Sequence, residues 1–273
     1  MKISAVIITY NEEHNISRCL ESLQKVADEV IVVDSYSSDR TEEICRSFEL
    51  RFIQHAFEGH IEQKNFAMQL AANDFVLSLD ADEALSEALR ESLLRVKQEQ
   101  ENKHEDAYTM NRLTCYCGKW IRYSGWYPDT KVRLWNKHKG RWGGINPHDK
   151  VVLQQGAGSR HLKGDLLHYS FNTIEEHVNQ INAFTSISAN ALITKNGAVV
   201  FVKMLFSPCI RFLRDYFFKQ GFRDGLYGFI ICKNTAYSRF LRYAKLYQLI
   251  VKPADKLICE KKAGKNNKRE NIH

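Results

Sequence analysis

Hydrophobic and polar positions alternate between two periods over the first hundred residues. Ile3–Tyr10 (ISAVIITY) is a short apolar run rich in β-branched residues, too short for a core helix and suited to a buried parallel strand. Asn11-Glu12-Glu13 then reads as a loop and helix start, with carboxylates where a helix dipole favours them, and Ile16, Leu20 and Leu23 mark a helical face. Glu29–Asp34 (EVIVVD) predicts a second strand, and Asp39-Arg40-Thr41-Glu42 fits a capping box opening a helix through Phe48. A third strand is expected at Leu50–Gln54, a helix at Ile61–Ala72, a fourth strand at Phe75–Asp80 and an amphipathic helix at Ser86–Gln100. Strand–helix alternation of this kind predicts an α/β domain with a mainly parallel sheet. Ligands of such sheets sit at the carboxyl ends of the strands, here the loops Thr9–Glu13, Asp34–Asp39 and Asp80–Glu83.

From Ala107 to Tyr169 the pattern changes to short β runs (Ala107–Leu113, Lys131–Trp135, Lys150–Leu153 and Leu166–Tyr169) separated by aromatic and Gly-rich loops. Thr173–Leu249 reads as helical, interrupted near Pro208 and around Gly221–Gly228. Lys261–His273 is polar, without periodicity, and reads as a disordered tail. The expected organisation is thus 1–172, 173–260 and 261–273. Met1-Lys2-Ile3-Ser4 enters a strand with no small-residue cleavage site, so no signal peptide is expected. No apolar run reaches the roughly 18 residues that a membrane-spanning helix needs.

Composition narrows the class. The chain has 273 residues, 26% charged and 44% hydrophobic, which excludes wholesale disorder and a collagen-like repeat. Seven cysteines include only one close pair, Cys115 and Cys117, whose C-x-C spacing fits neither zinc nor redox motifs; reduced thiols of a cytoplasmic protein are expected. The net charge of +7 is uneven: residues 203–273 carry 16 Lys and Arg against 5 Asp and Glu. A basic C-terminal region implies an anionic partner. Arg239, Arg242 and Lys245, three residues apart beside Phe240, Leu241 and Leu246, suggest a basic stripe with an apolar flank, as an interfacial membrane helix has. No nucleic-acid reader is visible, so no nucleic-acid partner is expected.

The strongest chemical signal is Leu79-Asp80-Ala81-Asp82-Glu83 at the end of an apolar strand. On an extended chain Asp80 and Asp82 share a side and can converge on one hard cation, which takes carboxylates together with substrate phosphates. Neither G-x-G-x-x-G after the first strand nor G-x-x-x-x-G-K-[ST] anywhere is present, which argues against a dinucleotide fold and a P-loop NTPase. A phosphate ligand would need the metal and nearby cations, with Lys64, Lys131 and Arg133 as candidates.

Three motifs in order, Val6-Ile7-Ile8-Thr9-Tyr10-Asn11-Glu12, Val33-Asp34-Ser35 with Ser38-Asp39, and Leu79-Asp80-Ala81-Asp82-Glu83, resemble glycosyltransferase family 2 over about residues 1–170. The resemblance implies a GT-A fold over 1–172, with a basic, membrane-associating helical region at 173–260, and transfer of sugar from a nucleotide diphosphate sugar with inversion. It implies that Thr9, Asn11 and Glu12 line the nucleotide pocket and that Asp34 contacts the base. Asp80 would face the ribose or metal, and Asp82 would ligate the Mg²⁺ or Mn²⁺ that bridges the diphosphate. Tyr127-Pro128-Asp129-Thr130-Lys131-Val132-Arg133-Leu134 is similar to the P-D…R-L stretch of the family's lipopolysaccharide-core branch, and Phe217–Gly225 to that branch's tail. Pro147-His148-Asp149-Lys150-Val151 sits where the branch has a His-Glu pair. His148 is accordingly a candidate third metal ligand or phosphate contact, and Asp149 or Asp129 the general base that inversion requires. Trp120, Trp126, Tyr127, Trp135 and Trp142 crowd this segment, some as core and one or two as sugar platforms. Within that branch the expected activity is β-1,4 transfer of glucose from UDP-glucose to an inner-core heptose of a lipid-linked lipopolysaccharide acceptor. Such an enzyme would be cytoplasmic and peripheral on the anionic cytoplasmic face of the inner membrane. A capsule or other surface-polysaccharide transferase, and a non-catalytic nucleotide-sugar-binding membrane module, are the competing readings.

Overall fold

The computed structural model describes residues 1–100, 104–145, 148–192 and 196–266, without the side chains of residues 145, 148 and 251–266. It comprises two compact units, Met1–Arg122 with Trp126–Ser170, and Tyr123–Gly125 with Phe171–His273.

In the first unit, β1 (Ile3–Thr9) lies between β2 (Glu29–Asp34) and β4 (Phe75–Asp80), and β3 (Arg51–Gln54) flanks β2, all parallel. The apolar runs of β1, β2 and β4 are largely buried on both faces, as central parallel strands require, whereas edge strand β3 is partly exposed. Antiparallel strands extend the sheet: β5 (Glu83–Leu85), β6 (Ala107–Tyr116), β7 (Lys119–Ile121), β8 (Asp129–Asn136) and β11 (Ser159–Phe171). The strand order is β3-β2-β1-β4-β8-β6-β11-β5, with β7 on β6. A separate hairpin joins β9 (Gly140–Ile145) to β10 (His148–Leu153).

Helices α1 (Ile16–Ser22), α2 (Thr41–Arg46) and α4 (Glu87–Gln98) bury Ile16, Leu20, Cys45, Leu89 and Leu93 in one core with Ile3, Ile7, Leu77 and Leu79. On the other core α3 (His60–Gln69) packs Ala67 and Met68 with Val6, Ile31, Val33, Trp135 and Trp142. Register then decides what meets at the carboxyl edge: Thr9 pairs with Asp34, Ile8 with Asp80, and His168 with Glu83.

Local details depart from the expected pattern. The chain after β1 turns before it becomes helical, and α1 begins at Ile16. Asp39 is not half of a capping box: α2 starts at Thr41, whose N–H Asp39 accepts at 3.0 Å, and Glu42 turns to Arg46. Asp39 also accepts the Glu13 N–H, so the carboxylate ties two loops together in place of closing one helix.

In the second unit α5 (Ile174–Asn190), α6 (Gly197–Leu213) and α7 (Gly225–Asn266) bury Ala189, Val200, Tyr243 and Leu246. A π-helical turn, Arg214–Phe218, and a 3₁₀ turn, Gly221–Asp224, link α6 to α7. Pro208 does not interrupt α6, which continues through it; the break comes at the turn before Gly225. The basic stripe expected on α7 is turned inward at Lys245, whose Nζ reaches Asn182 O (2.6 Å), Asn182 Oδ1 (2.7 Å), Ser186 Oγ (2.8 Å) and Thr185 Oγ1 (2.9 Å) on α5. Among the described residues no helix is long and apolar enough to cross a membrane. The part of the expected tail from residue 267 onward lies outside the described residues.

Candidate active site

The loops after β1 and β2 are stitched together by side chains on backbone groups. Asn11 adopts φ 53°, a left-handed conformation that Asn tolerates, donates its N–H to Ser37 Oγ (2.8 Å) and accepts the Ser38 N–H on Oδ1 (2.8 Å). Glu12 N–H reaches Thr41 Oγ1 at 2.8 Å. Asp34 is fully buried, and its carboxylate accepts both the N–H (2.9 Å) and the hydroxyl of Ser37. These contacts tie the two loops together, and nearby Thr9 Oγ1 is buried without a hydrogen-bond partner.

Glu12 lies in an anionic neighbourhood. Burial raises its carboxyl to about 7, Asp82, Asp39 and Asp80 push in the same direction, and the Asn15 amide (2.8 Å) opposes them. The carboxyl is therefore half-protonated near neutrality.

The Asp80–Glu83 segment is a turn between β4 and β5, so the side-sharing rule for extended chain does not govern Asp80 and Asp82. Their carboxylates have different partners. Asp80 meets Lys64 Nζ at 2.9 Å and Arg133 Nη2 at 3.1 Å. Burial would raise its carboxyl, but these two cations outweigh it and hold Asp80 well below the usual carboxylate range. Asp82 lies 3.1 Å from His168 Nε2, and the other ring nitrogen of His168 is 3.4 Å from Thr114 Oγ1.

Behind Asp80 the charges form a buried lattice. Arg133, 3% exposed, also binds Glu83 at 2.5 Å, and Glu83 accepts the Asp80 N–H at 3.1 Å. Desolvation works against the guanidinium, yet Glu83 and Asp80 raise it above its ordinary value, so it stays charged. Lys64 bridges Asp80 to Asp149 (2.7 Å), and the Trp142 ring underlies both cations, 4.4 Å from Lys64 Nζ and 5.3 Å from Arg133 Cζ. Arg133 Nε and Trp142 Nε1 are buried without partners. Two fixed cations and unused donors beside carboxylates are a cradle that a polyanion can enter by exchanging with Asp80 and Asp149.

The structure thus gathers Asp80, Lys64, Arg133 and Asp149 into one cluster. Asp129 lies further along the same lattice: Arg112, 3.5 Å from Glu83, and Lys131 grip it at 2.8 and 2.9 Å and, despite burial, lower its carboxyl. Lys131 is thereby committed to Asp129. The His148 side chain lies outside the described residues. Among the described residues no group of three His, Cys, Asp or Glu side chains is arranged for a metal. Asp82 does supply a hard carboxylate that suits Mg²⁺ or Mn²⁺ together with phosphate oxygens, and the His168 imidazole beside it fits the transition ion Mn²⁺ better than Mg²⁺. His168, Glu83, Arg112 and Ser37 carried no role in the sequence reading. The one available signal for His168 was its place in the apolar–polar run Leu166–Tyr169, which did not reveal a partner 86 positions away.

Residues 4–155 match the profile of the family described as "Glycosyl transferase family 2". An uncharacterized glycosyltransferase of Rickettsia typhi, RT0209, is 34% identical over 92% of this chain and 88% of its own. The lipopolysaccharide core biosynthesis glycosyltransferase LpsC of Rhizobium meliloti is 30% identical over 91% of this chain and 93% of its own. Among solved structures, S. aureus TarS 1-349 in complex with UDP-GlcNAc aligns over 94% of this chain and 92% of its own, at 15% identity and a TM-score of 0.44. The family match and the glycosyltransferase relatives, on a parallel 3-2-1-4 sheet extended by antiparallel strands, identify a GT-A nucleotide-sugar-dependent glycosyltransferase. The chain belongs to glycosyltransferase family 2.

Proposed function

We propose that this enzyme transfers a hexose, glucose from UDP-glucose foremost, to an inner-core heptose of lipopolysaccharide with inversion. The observation that carries the reading is the Asp80–Lys64–Arg133 cluster over Trp142, placed beside the Asp82–His168 pair. The relation to a lipopolysaccharide core glycosyltransferase over nearly the whole chain supports the acceptor class. Thr9, Asn11, Glu12 and Asp34 line the nucleotide end, where Thr9 Oγ1 has an unused hydrogen-bonding capacity. Lys64 and Arg133 receive the diphosphate, trading carboxylate contacts for phosphate ones. Asp82 and His168 would hold the divalent cation, Mn²⁺ or Mg²⁺, which would supply charge neutralisation to the leaving nucleoside diphosphate.

Inversion needs a base on the acceptor side. Asp149 is the better candidate because its ion-pair partner Lys64, like nearby Arg133, is a group drawn toward the diphosphate. Asp129 is kept a weak base by two cations. A lipid-linked acceptor places the enzyme at the cytoplasmic face of the inner membrane as a peripheral protein.

The test is hexose transfer from UDP-glucose to core acceptor with Mg²⁺ or Mn²⁺, read by the mass gained by the glycolipid. Asp82→Ala is expected to lose at least about a hundredfold in transfer. Full activity in that variant would remove the Asp82 assignment, and no gain of one hexose would remove the donor and acceptor assignment.

A further inference from the structure

The second unit carries an apolar surface that its own core does not use. Val199, Val202, Phe206, Ile210 and Leu213 recur every three or four residues, hence along one face of α6, and all are exposed. Val200 is the residue of α6 that goes into the core with Tyr243 and Leu246. Past α6, Phe217, Phe218, Phe222, Leu226 and Phe229 are exposed as well, and Phe217, Phe222 and Phe229 meet around the Tyr216 ring. Exposure reaches 64% at Ile210, 71% at Leu226 and 83% at Phe218. Isolated apolar residues on a surface need no explanation, but a continuous set of this size does.

The corner that displays these side chains is built, not frayed. Asp215 is buried and clamps Arg211 and Arg214, fixing the π-helical turn from which Phe217 and Phe218 emerge. Phe212 and Tyr216 stack at 5.3 Å behind them. Gly221 packs so closely that a Cβ there would meet Cys232 Sγ at 2.7 Å and Ser124 Oγ at 2.8 Å. Ser124 N–H bonds Lys219 O at 3.1 Å, and Tyr123 N–H bonds Asp224 Oδ2 at 2.9 Å.

Charge selects the occupant. Between Val199 and Phe229 both acidic residues, Asp215 and Asp224, are buried, so the exposed ionic groups there are cations: Lys203, Arg214, Lys219 and Arg223. Apolar side chains rimmed by cations match an anionic bilayer, in which the rings enter the acyl boundary and the cations stay among the headgroups. A second copy of the chain is a poor occupant, because a two-fold interface would set this patch, and its cations, against themselves.

We propose that the Val199–Phe229 face docks the enzyme on an anionic lipid surface. The inference gives a surface to the peripheral placement proposed above and rests on that placement, not on the donor, the acceptor or the base. The stripe of Arg239, Arg242 and Lys245 is not the docking element, since Lys245 is occupied by α5.

The test is flotation of the full chain with vesicles of phosphatidylcholine alone and of phosphatidylcholine with phosphatidylglycerol, at low and high salt. Capture by the phosphatidylglycerol vesicles at low salt and release at high salt are expected. Phe218→Ser with Leu226→Ser, and separately Lys203→Glu with Lys219→Glu, should each weaken capture at least about tenfold, with helical circular dichroism and UDP binding unchanged. No capture at low salt overturns the proposal, as does equal capture of both double variants. A concentration-dependent dimer in light scattering that the serine substitutions dissolve assigns the face to a second copy and likewise overturns it. Failed hexose transfer with intact vesicle capture counts against the reaction and leaves the docking face standing.

Discussion

Asp149 and Asp129 are the two carboxylates proposed as the base, and the ion pairs around them separate their chemistry. Arg112 and Lys131 favour Asp129 as the anion, which makes it a poor proton acceptor; Asp149 is ion-paired with Lys64 and feels Arg133 through space. Asp149→Asn should lose roughly 10²–10⁴-fold in kcat with UDP affinity kept, while Asp129→Asn keeps kcat within about tenfold. Single-turnover transfer with separate UDP titrations distinguishes the two, and the reverse ranking would move the base to Asp129. Glu12 makes a second residue-level claim. Its folded carboxyl, raised to about 7, lies above the ordinary 4.5, so the folded state holds a proton that the unfolded chain has lost. That contribution to stability is complete below about 4.5 and is lost as pH rises through about 7. Glu12→Gln is therefore expected to stabilise the protein by about 1–2 kcal/mol near pH 8, after discounting for solvent screening, and to change little near pH 4.5. Denaturant midpoints at the two pH values read this directly.

Elements are positioned by a few close approaches that no periodicity announces. Gly164 on β11 sits at φ 103° against the start of α4, where a Cβ would come within 2.7 Å of Leu89 Cα. The neighbouring backbone locks the junction: Ser86 N–H bonds Asp165 O at 3.1 Å, and Asp165 N–H bonds Ser86 Oγ at 3.0 Å. Gly164→Ala should cost about 2–4 kcal/mol through overlap and an unfavourable φ, and, because β11 also delivers His168 to Asp82, should weaken UDP binding in the presence of Mg²⁺. A thermal midpoint unchanged from the wild type would sink the argument. Strands such as β1 and β4 were legible because a run of β-branched residues buried on both faces leaves one low-energy reading. β7 and β9 were not, since Lys119-Trp120-Ile121 and Gly140–Ile145 are short and carry polar or glycine positions. Pro208 misled for a related reason: its cost is local, and the packing of α6 on α7 outweighs it. The acidic loops could be found because they follow legible strands. Lys64 and Arg133 could be named as candidate cations, but their meeting at Asp80 and the role of His168 could not be read, because the packing of α3 and antiparallel register, not sequence distance, bring these side chains together.

At the scale of the whole chain, Glu12 in the first unit and His177 in the second pull stability in opposite directions as pH falls from about 7. In the first, Glu12 gains stability as pH falls from about 7 toward 4.5, while ion-paired Asp80 and Asp129, lowered from 3.8, surrender theirs only below that value. In the second, His177 is buried beside Phe171, with its ring centroid 4.7 Å from the phenyl ring, and Nδ1 lies 3.2 Å from the Asn234 amide. Burial lowers its imidazole from 6.5 to about 4. The unfolded chain therefore takes up a proton at a pH where folded α5 refuses one. Stability carried by neutral His177 is intact above about 6.5, declines as pH drops toward 4, and amounts to about 3 kcal/mol at full loss. Near pH 4.5, amide exchange in α5 and the described part of α7 should accelerate before that of β1, β2 and β4. His177→Phe keeps the ring against Phe171, gives up the Asn234 contact and removes the titration. Its second unit should be somewhat weaker at neutral pH but nearly level between about pH 4.5 and 6.5, whereas the wild type slopes downward. If both proteins lose α5 protection with the same pH slope, the acid sensitivity belongs to other groups and not to this buried imidazole.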